Sequence, residues 1–514
     1  MTVVQMGDGD FYKRRHRFGM ILGPVLFLAF LIAPDSVLPR EARRVAATTA
    51  LMATWWICES LPLAVTALIP LVAFPFLKIV SAQNIAASYA APEIFLFMGG
   101  FFIAIAMQRW NLHRRIALGI VCVFGCHGHR IILGFMIASA FISLWVSNTA
   151  TTMMMLPIAL AVQTTLEEHG GASAPGFGDF KIALMLSIAY ASSIGGIGTL
   201  IGTPPNLVFA AQVRALFPEA PEVSFVKWMA VGIPFTLLFI PIAWIVLTRI
   251  MFRGARINFG DAGTAIKCAR DGLGPMSRGE KIVLAVFVAT VIGWLTRGNL
   301  AIGGITLKGW ESFGGLSRYV HDSTIAVAAA LVLFAFPVDW KRGVFVLDWR
   351  AAKEIPWGIL ILFGGGIALG KGFLDSGLAS RIAGGMTLFA GAPVVVLIAV
   401  SAFLVTFLTE ITSNTAIATI FLPILAATAV GLKVHPFILM IPAAISASCA
   451  FMLPVATPPN AIVFGSGSVP MTAMVRTGLI LNFIGIVLVI LIMYLFAIPV
   501  FNISLTQLPA WVGH

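Results

Sequence analysis

The chain has 514 residues, 59% of them hydrophobic and 11% charged, with a formal net charge of +12. A soluble domain carries about 25% charged residues, so this composition excludes one and implies a polytopic membrane protein. The basic excess does not imply nucleic acid, because the Lys and Arg residues are scattered among short connections and form no basic, aromatic-interleaved patch.

The first 17 residues are polar and basic (Lys13, Arg14, Arg15, Arg17), and the apolar run after them leads into further spans. That order predicts a cytoplasmic tail before a retained helix, not a cleaved signal peptide. A helix needs ~20 apolar residues to cross the hydrocarbon. Segments 18–34, 44–58, 61–78, 92–110, 181–216, 228–250, 280–297, 321–338, 355–372, 436–466 and 472–500 qualify, which makes eleven spans. Two more apolar stretches, 130–166 and 393–430, each carry Ser-Asn-Thr near the middle. Such a stretch is either one kinked span or a hairpin that enters and returns on one side.

Charge bias favours hairpins. With the N-terminus inside and both stretches re-entrant, cytoplasmic segments hold 21 of the 33 Lys and Arg residues and external segments 12. Arg249, Arg253, Arg256, Lys267, Arg270, Arg278 and Lys281 lie in one internal connection, with Lys341, Arg342, Arg350 and Lys353 in another. This follows the positive-inside tendency. Arg40, Arg43 and Arg44 fall outside, against it. Eleven spans then place the C-terminus outside.

The two halves repeat. Ser147-Asn148-Thr149 returns as Ser413-Asn414-Thr415, 266 residues on. Gly202-Thr203-Pro204-Pro205-Asn206 returns as Ala456-Thr457-Pro458-Pro459-Asn460, 254 residues on. Gly99-Gly100 before Ile103-Ala104 matches Gly364-Gly365 before Ile367-Ala368, and Arg115-Ile116-Ala117 matches Arg381-Ile382-Ala383. The shorter offset implies about twelve extra residues in the first half, which the polar stretch 167–181 (Gly170, Gly171, Gly176, Gly178) supplies. An odd number of spans between equivalent elements inverts one half relative to the other.

Backbone groups released from helical bonding cost several kcal/mol each in lipid, so breaks survive only where protein, water or ligand satisfies them. Paired breaks in two halves mark the binding site of a repeat-built transporter. Asn, Ser and Thr place neutral oxygens and amide donors there, and unwound carbonyls suit sodium. Each tripeptide precedes apolar helix, so it offers donors to a carboxylate at a helix N-terminus. Ser143 lies four residues before Ser147 and Thr409 four before Ser413, close enough to face the break. No Lys or Arg adjoins either tripeptide, so the counter-charge for a bound carboxylate must come from cations bound with it.

These motifs, with Trp55-Trp56, Glu59 and Pro62 early on and Phe451-Met452-Leu453-Pro454 before the second break, resemble the divalent anion:sodium symporter family over nearly the whole chain. The resemblance implies an all-α fold of about eleven transmembrane helices plus two re-entrant hairpins, an inverted repeat, and an elevator-type mechanism in a homodimer. It divides the chain into a tail (1–17), scaffold helices (18–90), a first repeat (91–255; hairpin 130–166, broken helix 181–216), a cytoplasmic connection (256–279), further scaffold helices (280–354) and a second repeat (355–514; hairpin 393–430, broken helix 436–466). Carried over, one sodium site uses Ser143, Ser147, Asn148 and the Gly202 carbonyl, with Gly196 or Gly198 as substitutes for the last. The other uses Thr409, Thr412, Asn414 and the Ala456 carbonyl. Substrate carboxylates meet Ser147, Asn148, Thr149, Ser413, Asn414 and Thr415, with Thr457 and Pro458 nearby. Sodium, at two or more sites, is the coupling ion, and no organic cofactor is implied.

The implied function is sodium-coupled uptake of C4 dicarboxylates such as succinate, malate or fumarate across the cell's inner membrane. Citrate uptake, sulfate uptake and sodium-independent exchange stay open. An enzyme is disfavoured, since the chain has no Gly-x-Ser-x-Gly, His-Glu-x-x-His or Walker loop. A channel would more often show several like repeats around a pore. Cys122-x3-Cys126 with His127 and His129 has zinc-ligand types, but apolar filler and a basic loop account for them. Glu59, Glu93, Asp375 and Glu410 are suspect as intramembrane acids. Glu410, beside Thr409, is expected to brace a helix end or, less simply, to bind a proton or cation.

Overall fold

The computed structural model describes residues 8–512 except 36–37, 125–126, 169–173, 258, 260–271, 303–304, 379–380, 382–390 and 506. Cys126, Cys268, Gly170, Gly171, Ile382, Ala383 and most of the 256–279 connection therefore lie outside the described residues.

In chain order the first helices are α1 (Asp8–Leu31), α2 (Arg40–Ile57), α3 (Leu63–Thr66), α4 (Ile69–Phe76), α5 (Ala82–Ala87), α6 (Pro92–Arg109) and α7 (Leu112–Val121). From residue 8 onward the expected tail is helical and continuous with the first span. The expected single span 61–78 is two short helices, and Pro70 in the first turn of α4 marks the restart. Helix α7, with Arg114 and Arg115 on it, occupies what the sequence suggested was a loop.

The first hairpin is α8 (Gly128–Ser143) and α9 (Asn148–Glu168). The first broken helix is α10 (Phe177–Gly196) and α11 (Pro204–Leu216), followed by α12 (Phe225–Ile245). Next come α13 (Arg278–Leu295), α14 (Asp322–Ala335), α15 (Trp349–Ala352) and α16 (Trp357–Asp375). A capping box between Ser277 and Glu280 starts α13, and Arg115 Nε reaches Glu280 Oε1 at 2.7 Å, tying α7 to that start. The second hairpin is α17 (Val394–Thr409) and α18 (Asn414–Gly431). The second broken helix is α19 (Phe437–Ser446) and α20 (Pro458–Gly465), followed by α21 (Met471–Ile492).

Two departures qualify the all-α reading. Residues Leu300–Ile302 pair antiparallel with Ile305–Leu307 as strands β1 and β2, and Pro337–Asp339 with Val344–Phe345 as β3 and β4. Both are short hairpins in connections, too short to register in a search for spans of ~20 residues. Among the described residues, seven helices are long and apolar enough to cross a membrane, two of them arms of the hairpins (Asn148–Glu167 and Asn414–Gly431).

The prolines of the two breaks are helix starters. Pro204 and Pro458 occupy the first position of α11 and α20, where a missing N–H costs nothing and φ is already helical. Pro157 in α9 and Pro423 in α18 are again 266 residues apart, so the hairpin arms share a kink position as well as a tripeptide.

Candidate functional site

One cavity of about 840 Å³ is lined by both tripeptides, Ser147–Thr149 and Ser413–Thr415, and by Thr203, Pro204, Ala456, Thr457 and Pro458. The four breaks thus converge on a single space. Glu59, Gln108 and Glu354 also line it, while no Lys or Arg does among the described residues. Phe101, Ile105, Val146, Met153, Ile359, Leu362 and Val455 give it apolar walls. This combination suits a small polar solute: apolar walls exclude water, and two neutral polar cups supply orientation.

The first cup forms where α8 ends at Ser143 and α9 begins at Asn148. One carboxamide atom of Asn148 sits 2.8 Å from Ser143 Oγ, 3.1 Å from Ser192 O and 3.3 Å from Gly202 O. As nitrogen it donates to all three; turned over, its oxygen completes a ring of four oxygens of the kind an alkali cation takes. Gly196 permits this approach, because a Cβ there would fall 2.2 Å from Asn148 Oδ1. A Cβ on Gly198 would meet the Leu144 and Ile233 side chains, while the Gly202 carbonyl lies 3.3 Å from the Asn148 carboxamide. Ser147 Oγ accepts from Ala150 N at 3.4 Å and starts α9. Ser192 was not anticipated; it shares its helix turn with Gly196, which was the available signal.

The second cup repeats the first. Thr409 Oγ1 lies 2.7 Å from Asn414 Oδ1 and 3.0 Å from Ala447 O. Thr412 Oγ1 is buried without a hydrogen-bond partner. Thr457 caps α20 by accepting from Asn460 N at 3.2 Å, whereas Thr203 meets Ser448, hydroxyl to hydroxyl, at 3.3 Å.

What holds the breaks open was missed in the sequence. Asn206 Nδ2 donates to Gly196 O (3.1 Å), Ile197 O (3.2 Å) and Thr199 O (2.7 Å). Asn460 Nδ2 donates to Ala450 O (3.2 Å) and Leu453 O (3.1 Å). Gly196 pairs with Ala450 and Thr199 with Leu453 at the same 254-residue offset as the motifs. The Asn of each Pro-Pro-Asn therefore closes its own unwound segment, satisfying carbonyls that would otherwise be bare at membrane depth. Gln212 Nε2 does related work between helices, donating to Gly366 O at 2.7 Å.

Glu59 and Glu93 each have an arginine partner. Glu59 pairs with Arg15 at 3.0 Å beside the cavity. Glu93, at the other end of α6 from Gln108, pairs with Arg214 at 3.4 Å. There a second cavity of about 410 Å³ is bordered by Arg214, Glu222, His321 and Asp322. Arg297, with its side chain 4% exposed, pairs with Glu222 (2.8 Å), Asp322 (2.8 Å) and Glu311 (3.5 Å). Of the zinc-type residues, the His127 and His129 rings lie 5.8 Å apart, and no group of three or more His, Cys, Asp or Glu is placed for a metal among the described residues.

Comparison with known proteins places this geometry. The sodium:sulfate symporter transmembrane region matches residues 16–503. The sodium-dependent dicarboxylate transporter SdcS of Staphylococcus saprophyticus is 44% identical over 494 residues, covering 95% of this chain and 93% of its own. The SdcS of Staphylococcus aureus strain RF122 is 43% identical over 493 residues, covering 95% and 92%. Among solved structures, the Alcanivorax borkumensis YdaH transporter aligns with a TM-score of 0.56 at 15% identity, covering 86% of this chain and 97% of that one. The Neisseria gonorrhoeae protein MtrF aligns at 0.53 with 13% identity, covering 82% and 84%. Those two likenesses concern the fold alone. These relatives are transporters, not enzymes.

Proposed function

Because the chain belongs to the divalent anion:sodium symporter family, we propose that it is a sodium-coupled secondary transporter importing C4 dicarboxylates such as succinate, malate or fumarate. The observation that carries this reading is the shared cavity: two neutral cups, one from each repeat, facing one space that no Lys or Arg lines among the described residues. A dianion leaving water for such a space needs counter-charge. Sodium held by Ser143, Ser147, Asn148 and the Gly202 carbonyl, and by Thr409, Thr412, Asn414 and the Ala456 carbonyl, supplies it. The substrate carboxylates then meet Ser147, Asn148, Thr149, Ser413, Asn414 and Thr415, with Thr457 and Pro458 at the side. The names of the SdcS relatives support both the sodium dependence and the dicarboxylate class.

In this reading the protein is a multi-pass protein of the inner membrane with the N-terminus cytoplasmic and the C-terminus external. The cavity shares its end of α6 with the Arg15–Glu59 pair, so it opens inward, and the Arg297 and Arg214 pairs close the outer face. The hairpins and broken helices (α8–α11 and α17–α20) move as one unit against a scaffold of the remaining spans, the scaffold forming the homodimer contact. Citrate, sulfate and sodium-independent exchange are the competing readings. Purified protein in proteoliposomes separates them: labelled succinate uptake is measured in sodium or choline, with unlabelled succinate, malate, citrate, sulfate and glutarate as competitors. Uptake that persists in choline overturns the coupling, and competition by sulfate or citrate but not malate overturns the substrate class.

A further inference from the structure

The two breaks differ in length. Between α10 and α11 the unwound residues are 197–203, and between α19 and α20 they are 447–457. Ser446, where α19 stops, corresponds to Ser192 at the 254-residue offset, so the second helix ends about one turn before its counterpart. In the first break, Ile197 N and Gly198 N bond backward to Ile194 O (3.3 Å) and Gly195 O (2.9 Å). Their counterparts, Phe451 and Met452, turn to a side chain. Glu410 Oε1 accepts from Phe451 N (2.8 Å) and Met452 N (3.0 Å), and Oε2 from Met452 N (3.2 Å) and Leu453 N (3.1 Å). Asn482 Nδ2 on α21 adds a 2.7 Å bond to Oε1.

Glu410 is 3% exposed. Both its oxygens only accept, from four donors, so it serves as a buried anion and not as a direct cation ligand. The residue 266 positions earlier is Leu144, whose backbone carbonyl accepts from Thr199 Oγ1; the first cup has no acid there. The bonds continue toward the second cup: Leu453, held by Glu410, accepts from Ala456 N at 3.1 Å and from Asn460 Nδ2.

We infer that Glu410 is a positioning residue that makes the second cation cage unlike the first. It fixes the extra unwound turn so that the Ala456 carbonyl is presented to Thr409, Thr412 and Asn414, and its charge, next to Thr409, strengthens cation binding at that cage alone. The inference rests on the reading of the two cups as sodium cages. The test uses the full chain in detergent, without substrate, following thermal unfolding while sodium chloride replaces choline chloride at constant ionic strength. Wild type should gain stability with sodium. Glu410→Gln should raise the half-saturating sodium concentration on the order of a hundredfold, the scale of one charge about a helical turn away at an effective permittivity near 20. Asn482→Ala, which keeps the carboxylate but frees one side of it, should give a smaller shift in the same direction. The sodium activation of succinate uptake should move in parallel.

A Glu410→Gln protein that melts lower by the same amount at every sodium concentration, with unchanged half-saturation, overturns the inference and leaves only a structural brace. If Glu410→Gln does not fold, Asn482→Ala decides, and an unmoved half-saturation there overturns it equally. A wild type indifferent to sodium over choline overturns instead the cage reading on which the inference stands.

Discussion

The two ends of α6 sit in opposite electrical surroundings. At Gln108 the helix borders a cavity whose polar groups are neutral amides, hydroxyls and carbonyls, with Glu59 and Glu354 the charged side chains among the described residues that line it. At Glu93 it meets a dense set of ion pairs, in which Arg297 alone faces three carboxylates. Charges buried with their partners hold a fixed arrangement closed, because separating them exposes each to a poor solvent. A binding site that must fill and empty works better with neutral groups whose counter-charge arrives with the solute.

That contrast can be broken by substitution at either end. Asn148→Ala and Asn414→Ala remove the carboxamide at the centre of each cup, and each should reduce sodium-dependent succinate uptake to background while the protein still unfolds cooperatively. Uptake near wild type from either variant would dissolve the assignment. At the ionic end the expected loss is in stability. Arg297→Met strands the buried Asp322 and removes a partner from Glu311 and the half-exposed Glu222, and should cost ~3–5 kcal/mol, the usual penalty for leaving a buried charge unpaired, read as a fall in unfolding temperature.

Asn206→Ala tests the frame of the cavity. Three carbonyls lose their donor, for about 1–3 kcal/mol, and Asn460→Ala, with two side-chain amide bonds, should cost less in the same melt. The smallest effect belongs to Arg214→Ala. Its side chain is 55% exposed and its contact to Glu93 is 3.4 Å, so a change of ~0–1 kcal/mol, shrinking in high salt, is expected.

Much of the site was legible because it is written twice. Ser147-Asn148-Thr149 and Ser413-Asn414-Thr415 announce themselves by identity and offset, and the structure brings both copies to one cavity. The breaks were legible as breaks, since the doubled prolines Pro204-Pro205 and Pro458-Pro459, each between Thr and Asn, interrupt apolar sequence at matching places in the two halves. The use of Asn206 and Asn460 was not, because their role depends on which carbonyls the unwound backbone presents. Glu410 drew notice as a buried acid, but its donors come from residues 451–453 and 482, which no local spacing links to it. Arg297 entered the sequence reading only as one external positive charge. Helix α7 escaped because ten residues are too few to span a bilayer. Strands β1 and β2 had a usable signal in Gly303-Gly304 between two apolar triplets, one that a search for spans passes over.

Gly478 on α21 lies against the second break so closely that a Cβ would fall 2.2 Å from Phe451 O, and Gly232 on α12 does the same at 2.5 Å from Ile197 O. With its amides engaged on one side and a helix backbone pressed on the other, the stretch around residue 451 lies outside any helix but is still confined. Its amide hydrogens should therefore trade with deuterium as slowly as those of the neighbouring helices.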